Sequence, residues 1–328
     1  MLFVNNQNRT DPRWNLALEE HLLRNVQSER PLLLFYINEP AVIIGRNQNS
    51  IQEIDPDFIK QNDIHVVRRL SGGGAVYHDL GNLNFSFITN GRENLHNFAL
   101  FTEPVIRALN KLGVEAECRG RSDIFANNKK ISGNAQYATA QRMFSHGTLL
   151  FDSNLETLLK ALNPRQAEIS SKAVQSIRNF VTNIRELLPV EMEIHQFRET
   201  LLKELFDDGA VSTYPLTAVD WDKIAEIAAT RYQTWEWNIG RAPQFNAQKH
   251  GRYEGVGTIE VRIDVVHGRI QQIKFYGDFA GLKPVSILEQ QLIGLRYDKD
   301  SLSEALQNEN LTSYFGNLSF TDFIELLS

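Results

Sequence analysis

RRLSGGGAVYHD (residues 68–79) and GRSDIFANNKKISGNAQ (residues 120–136) decide how this chain is read. Three consecutive glycines, Gly72, Gly73 and Gly74, free the backbone for positive φ and let a ligand approach main-chain N–H groups. Donors exposed in this way make an anion-binding nest, suited to a phosphate or a carboxylate. Arg68 and Arg69 stand just before it, and an arginine chelates phosphate oxygens with two parallel bonds. The pattern is neither the Gly-Lys-Ser/Thr phosphate loop nor the dinucleotide Gly-x-Gly-x-x-Gly. Taken alone, the segment is also compatible with a flexible turn between strands.

In the second segment, Asn127 and Asn128 tolerate the positive φ of a two-residue hairpin turn. With that turn, Phe125 is expected opposite Lys130 and Asp123 opposite Ser132. Alternation then places Asp123, Phe125, Lys130 and Ser132 on one face. Diagonal neighbours on such a face are roughly 7–8 Å apart, within reach of long side chains. Lys130 and Asp123 can therefore address one ligand, while Lys129 points away. The plainer reading of the same spacing is a solvated Asp–Lys pair on a surface hairpin, worth little energetically.

Outward from these segments, local signals lay out the rest. Asp11-Pro12 is a helix start, followed by Trp14, Ala17, Leu18, His21 and Leu22 at helical spacing, with Glu19 and Glu20 expected to face outward. Two apolar runs, 32–37 and 41–44, read as paired strands. Asp55-Pro56 opens a short helix, 64–67 is a strand, and 83–88 alternates as a half-buried strand. Residues 98–112 fit a helix ending at Gly113. Strands are expected at 123–126, 130–136 and 146–151, and helices at 155–162 and 190–206. The character changes near 243–250, after which 259–265 and 270–275 read as strands and 286–294 and 301–307 as helices. The expectation is an α+β protein: a catalytic domain over 1–245 and a small α+β accessory domain over 246–328.

The 328 residues are 42% hydrophobic and 23% charged with a formal net charge of −6, as in an ordinary globular protein. With no run of five or six like charges, a broad nucleic-acid surface is not expected. Cys118 is the single cysteine, so no intramolecular disulfide forms. The first residues do not read as a signal peptide, and apolar runs are too short to span a bilayer. A cytoplasmic protein with no membrane association is expected.

Read together, these motifs closely resemble the lipoate–protein ligase family. The resemblance rests on Arg-Arg-x-Ser-Gly-Gly-Gly-Ala-Val-x-His-Asp-x-Gly-Asn at 68–82, Gly-Arg-x-Asp at 120–123, Lys-x-Ser-Gly at 130–133 and His-Gly-Thr-Leu-Leu at 146–150. Lys172 with Ser176-Ile177-Arg178 and Val181-Thr182-Asn183 looks like the family's adenylate-covering loop. The resemblance implies a mixed β-sheet flanked by helices, shared with biotin ligases. It implies that lipoate or octanoate reacts with ATP to give the acyl adenylate and pyrophosphate. The acyl group then passes to a lysine of lipoyl-domain proteins, 2-oxoacid dehydrogenase E2 subunits and the glycine cleavage H protein. By position, Lys130 looks like the lysine contacting both the lipoate carbonyl and the α-phosphate, with Asp123 as its catalytic companion. Arg69, Ser71, Gly74, Ala75, Val76, Tyr77, Lys172 and Arg178 are the implied nucleotide contacts, and Gly73, His78 and His146 the implied lipoate contacts.

The chemistry suits these residue types. A carboxylate of pKa about 4.3 is already ionised at pH 7, so activation needs a cation to offset repulsion between two anions rather than a base. No His/Cys metal cluster is visible, so Mg²⁺ is expected to arrive with ATP. Two rival readings share the fold: an ATP-independent acyltransferase with Cys118 as nucleophile, and a non-catalytic lipoyl- or nucleotide-binding protein. Biotin ligase is disfavoured because its glycine-rich activation motif is absent.

Overall fold

Asp11 and Pro12 begin the first helix as their chemistry requires. In the computed structural model, Asp11 caps the helix Pro12–Arg24 by accepting the Arg13 N–H, and Pro12 sits where a missing N–H costs nothing. The structure describes residues 1–48, 50–162, 180–207, 209–238, 247–266, 269–297 and 299–327. They divide into two units: Met1–Ile43, Glu53–Arg68 and Val76–Asn238 in the first, Ile44–Gln52, Arg69–Ala75 and Ile239–Ser328 in the second.

The strands of the first unit are β1 (Leu2–Asn5), β2 (Leu32–Ile37), β3 (Ala41–Ile44), β4 (His65–Arg68), β5 (Val76–His78), β6 (Asn82–Asn90), β7 (Ala116–Arg119), β8 (Asp123–Ala126), β9 (Lys129–Ser132), β10 (Asn134–Ala138), β11 (Arg142–Leu150) and β12 (Thr213–Tyr214). A six-stranded sheet has the order β10-β11-β6-β2-β1-β12. It is mixed: the pairs β10–β11, β11–β6 and β6–β2 are antiparallel, whereas β1 lies parallel to both β2 and β12. Two three-stranded sheets, β4-β3-β5 and β7-β8-β9, accompany it. Leu33, Phe35, Leu83, Phe85, Phe87 and Leu149 line one face of the large sheet and pack with Phe101, Val105 and Leu109 of the helix Ala99–Lys111.

Three expectations are corrected. The runs 32–37 and 41–44 do form strands, but β2 and β3 belong to different sheets. Continuous apolar runs mark strands buried on both faces and carry no information about their partner. The alternating strand 83–88 is buried on both sides, with Asn82, Asn84 and Ser86 at most 2% exposed, because the helix Pro12–Arg24 packs on the polar face of β6 and β11. Glu19 and Glu20 face inward rather than out, each 3% exposed. Buried carboxylates are held by partners: Glu20 takes Arg24 at 2.6 Å, Tyr232 at 3.0 Å and Arg231 at 3.2 Å.

Beside them, buried His21 donates from Nε2 to Asp220 at 3.0 Å while Asn25 faces its Nδ1. Burial, with Lys223 adding, holds this imidazole below its ordinary pKa against the pull of Asp220. A folded-state pKa below the unfolded value of about 6.5 means that the unfolded chain binds the proton more readily. The neutral ring's contribution is therefore complete above about pH 6.5 and is lost as pH falls toward the lowered folded value. Thermal melts across about pH 5–7.5 should show wild-type stability falling with acid, and His21→Gln should flatten that slope.

In the second unit, β13 (Ala247–Tyr253), β14 (Gly257–Val266) and β15 (Arg269–Gly277) form an antiparallel meander. Ile259, Val261 and Ile263 are fully buried on one face. They share a core with Phe275 and with residues of the helices Val285–Leu292, Lys299–Leu306, Thr312–Phe315 and Phe320–Leu327. Residues 239–246, where the expected change of character begins, and 267–268, between the two expected strands, lie outside the described residues. Among the described residues no helix is long and apolar enough to cross a membrane.

Candidate active site

The lysine hairpin turns where the sequence predicts. Asn127 and Asn128 have φ of 48° and 64°, the left-handed pair that a tight hairpin needs. Phe125 lies opposite Lys130, but Ser132 pairs with Ile124 rather than Asp123, because a β-bulge falls between Ile124 and Phe125. The extra residue locally re-aims the strand. Asp123 and Lys130 still meet, Nζ to Oδ2 at 2.7 Å, with side chains 33% and 37% exposed. The Lys130 stem passes over Gly133, where a Cβ would stand 3.4 Å from Cε and Nζ. The main chain of Lys130 is anchored by a bridge to Val181 and by the Thr182 N–H. Lys129 instead lines a separate polar cleft of about 340 Å³ with Ser153, Asn154 and Thr182.

The face of the large sheet opposite its aromatic core carries polar groups. His146 on β11 stands opposite Ser86 on β6, and its Nδ1 faces both carboxylate oxygens of Glu19 at 2.9 and 3.1 Å. A carboxylate only accepts, so this ring carries its proton on Nδ1. Phe144 packs on it, ring centroids 4.7 Å apart. The buried Asn82 Oδ1 and Ser86 Oγ have no hydrogen-bond partner among the described residues, and such groups call for an explanation such as a bound ligand. His78 on β5 is 3% exposed, and its Nδ1 lies 2.9 Å from Asn38 Nδ2. Asp79 is structural: it caps Gly81 and Asn154 N–H groups, while burial raises its carboxyl above the usual range. Burial likewise raises the Tyr77 phenol, with Asp79 adding.

The glycine segment belongs to the second unit from Arg69 to Ala75. The Arg69 guanidinium bonds Ser71 Oγ at 3.0 Å and the carbonyls of Gly72 and Gly74 at 2.7 and 2.8 Å. It thus pins the loop from within, and Ser71 is fully buried. Gly73 has φ of +89°, whereas Gly74 has nothing within 4 Å of where a Cβ would stand. Gly45 approaches this loop so closely that a Cβ there would lie 1.9 Å from the Gly73 carbonyl oxygen.

Arg68 is held in the interior by other partners. It is 1% exposed and bonds the Trp237 carbonyl at 3.0 Å. Its own N–H donates to Asn238 Oδ1 at 2.9 Å and its carbonyl accepts Trp237 Nε1 at 2.7 Å. This clamp, the Glu19–His146 pair and the Asn38–His78 pair were absent from the sequence reading. Their only sequence signal is a polar residue within an apolar surrounding. Lys172 and Arg178 lie outside the described residues. Cys118 is an exposed free thiol on β7. Among the described residues, no group of three or more His, Cys, Asp or Glu side chains is placed to hold a metal ion.

Residues 11–206 match the family described as Lipoyl protein ligase A/B catalytic domain, and 242–327 match Bacterial lipoate protein ligase C-terminus. Lipoate-protein ligase LplJ of Bacillus subtilis is 50% identical over 331 residues, covering all of both chains. A structure of P. falciparum LipL1 in complex with lipoate superposes with TM-score 0.78 at 24% identity, over 99% of this chain and 97% of that one. A crystal structure of lipoate-protein ligase A bound with ATP has TM-score 0.61 at 31% identity, over 71% of this chain and 95% of that one. Full-length identity to one ligase, and matches to both the catalytic and the C-terminal family, lead to a single assignment: this chain belongs to the lipoate–protein ligase family.

Proposed function

We propose that the chain activates lipoate, or octanoate, with ATP and ligates the acyl group to a lysine of lipoyl-domain proteins. Acceptors of this class are the E2 subunits of 2-oxoacid dehydrogenases and the glycine cleavage H protein. The proposed setting is the cytoplasm. A catalytic domain over 1–245 and an accessory domain over 246–328 are proposed; separate family matches at 11–206 and 242–327 support a two-part division.

The observation that carries the mechanism is the Lys130–Asp123 pair at 2.7 Å. The substrate carboxylate attacks the α-phosphorus and pyrophosphate leaves, so negative charge gathers between two anions. The Lys130 ammonium is the fixed positive charge for that junction, oriented beforehand by Asp123 and by the Gly133 surface under its stem. N–H groups of the segment Gly73 to Tyr77 are proposed to take the nucleotide phosphates, with Arg69 and Ser71 keeping that loop in shape. His78 and His146 are assigned to the acyl-binding pocket. Lys172 and Arg178 are proposed as nucleotide contacts on the motif alone. Mg²⁺ is proposed to arrive with ATP, where it would neutralise charge on the departing pyrophosphate.

Transfer needs a neutral amine. Deprotonating an acceptor lysine of pKa about 10.4 at pH 7 costs roughly 4–5 kcal/mol in water. Asp123 is the group proposed to orient that amine or receive its proton. A lipoyl-domain acceptor incubated with protein, ATP and lipoate should gain the mass of one lipoyl group, and omission of ATP should abolish the gain. Unmodified acceptor under complete conditions would refute the proposal. Cys118→Ala should retain at least about half of wild-type activity, since Cys118 is exposed and its thiol has no part in the proposed mechanism. Loss of activity with accumulation of a protein thioester in wild type would favour the cysteine route.

A further inference from the structure

We infer that a buried chain of three asparagines, Asn6, Asn15 and Asn38, fixes the proton of His78 on Nε2. His78 then serves the site as a hydrogen-bond donor to an anionic ligand oxygen, and Asn38 is its positioning residue. The donor role rests on the reading of His78 as a pocket residue given above; the placement of the proton does not.

Amide orientation in such a chain is decided wherever a backbone group touches it, because N–H only donates and C=O only accepts. Asn6 Oδ1 accepts the Asn8 N–H at 3.1 Å, and its Nδ2 donates to the Arg9 carbonyl at 2.9 Å. The same amide therefore donates to Asn15 Oδ1 at 3.0 Å. Asn15 Nδ2 donates to the Arg9 carbonyl at 2.9 Å and to Asn38 Oδ1 at 2.8 Å. With its oxygen accepting from Asn15, Asn38 presents Nδ2 to His78 Nδ1 at 2.9 Å. An amide NH₂ has nothing to accept with, so Nδ1 is the acceptor and the neutral ring holds its proton on Nε2.

All four side chains are at most 3% exposed, where a misdirected donor is costly and a satisfied network is rigid. His146 is set the opposite way by the Glu19 carboxylate at its Nδ1. The two histidines thus differ in chemistry: Nε2 of His78 donates, and Nε2 of a neutral His146 accepts. A donor matches a substrate carboxylate or phosphate oxygen.

The test is a long-range ¹H–¹⁵N spectrum of the full-length, ligand-free protein, with the His78 signals assigned by their loss in His78→Gln. The expected pattern is Nε2 protonated and Nδ1 bare. A ring protonated at Nδ1 would overturn the inference. Asn38→Asp offers Nδ1 an acceptor, so the tautomer should reverse. The KM for lipoate in adenylate formation should then rise about tenfold, the effect of one hydrogen bond to a charged group. An unchanged KM in a folded Asn38→Asp variant with reversed tautomer would overturn the positioning role. If that buried substitution prevents folding, the wild-type spectrum still decides. Because the spectrum needs no turnover, a failure of the functional reading is told apart from a failure of this one.

Discussion

Lys130→Ala is expected to lower lipoate-dependent adenylate formation by about 10²–10³-fold, the range seen when one fixed stabiliser of transition-state charge is removed. The substitution deletes the ammonium and leaves Asp123 as an unpaired carboxylate in the same place, so a repulsive charge replaces an attractive one. Folding should survive, because the pair is over one-third exposed at the lysine and contributes little to stability. The control lies next to it. Lys129 faces a different cleft, and Lys129→Ala should change the rate less than about threefold, as surface substitutions outside a site do. Single-turnover measurement of the acyl adenylate in both variants, with circular dichroism to check the fold, reads the contrast. Equal loss in the two would remove the assignment of Lys130.

Gly45→Ala should be the second most damaging change, although Gly45 carries no chemistry. A methyl group there would stand 1.9 Å from the Gly73 carbonyl oxygen, well inside van der Waals contact, so backbone must move. The loop it would displace is the one that Arg69 pins through Gly72 and Gly74. A shift of about 1 Å in a positioning element can cost on the order of 10²-fold in rate. The expected result is that scale of loss in adenylate formation, together with a raised KM for ATP. Steady-state kinetics of Gly45→Ala against wild type reads the effect; wild-type kinetics would mean that the loop is more tolerant than its contacts imply.

The parts of the fold legible in the sequence are those decided locally. Asp11-Pro12 caps a helix through atoms two residues apart, and Asn127-Asn128 set a turn through their own φ. Lys130 and Asp123 were paired from such a turn, and the pairing survives the bulge at Ile124/Phe125. The bulge itself was invisible, because one inserted residue leaves the apolar pattern of so short a strand nearly unchanged. Longer-range features were not legible either. Glu19 reads as an outward residue of its helix until His146, 127 positions later, supplies its partner. Glu20 waits for Tyr232, 212 positions away. Arg68 looks like half of an anion-binding pair, yet Trp237 and Asn238 draw it into the interior. In each case a charged group is buried at a cost that a distant partner helps to offset.

The most direct measurement is ATP–pyrophosphate exchange with lipoate as the variable substrate. The expected result is exchange that requires lipoate, persists in Cys118→Ala and is lost in Lys130→Ala. Lipoate-independent exchange, or acyl transfer to a lipoyl domain that proceeds without ATP and without exchange, would contradict the account.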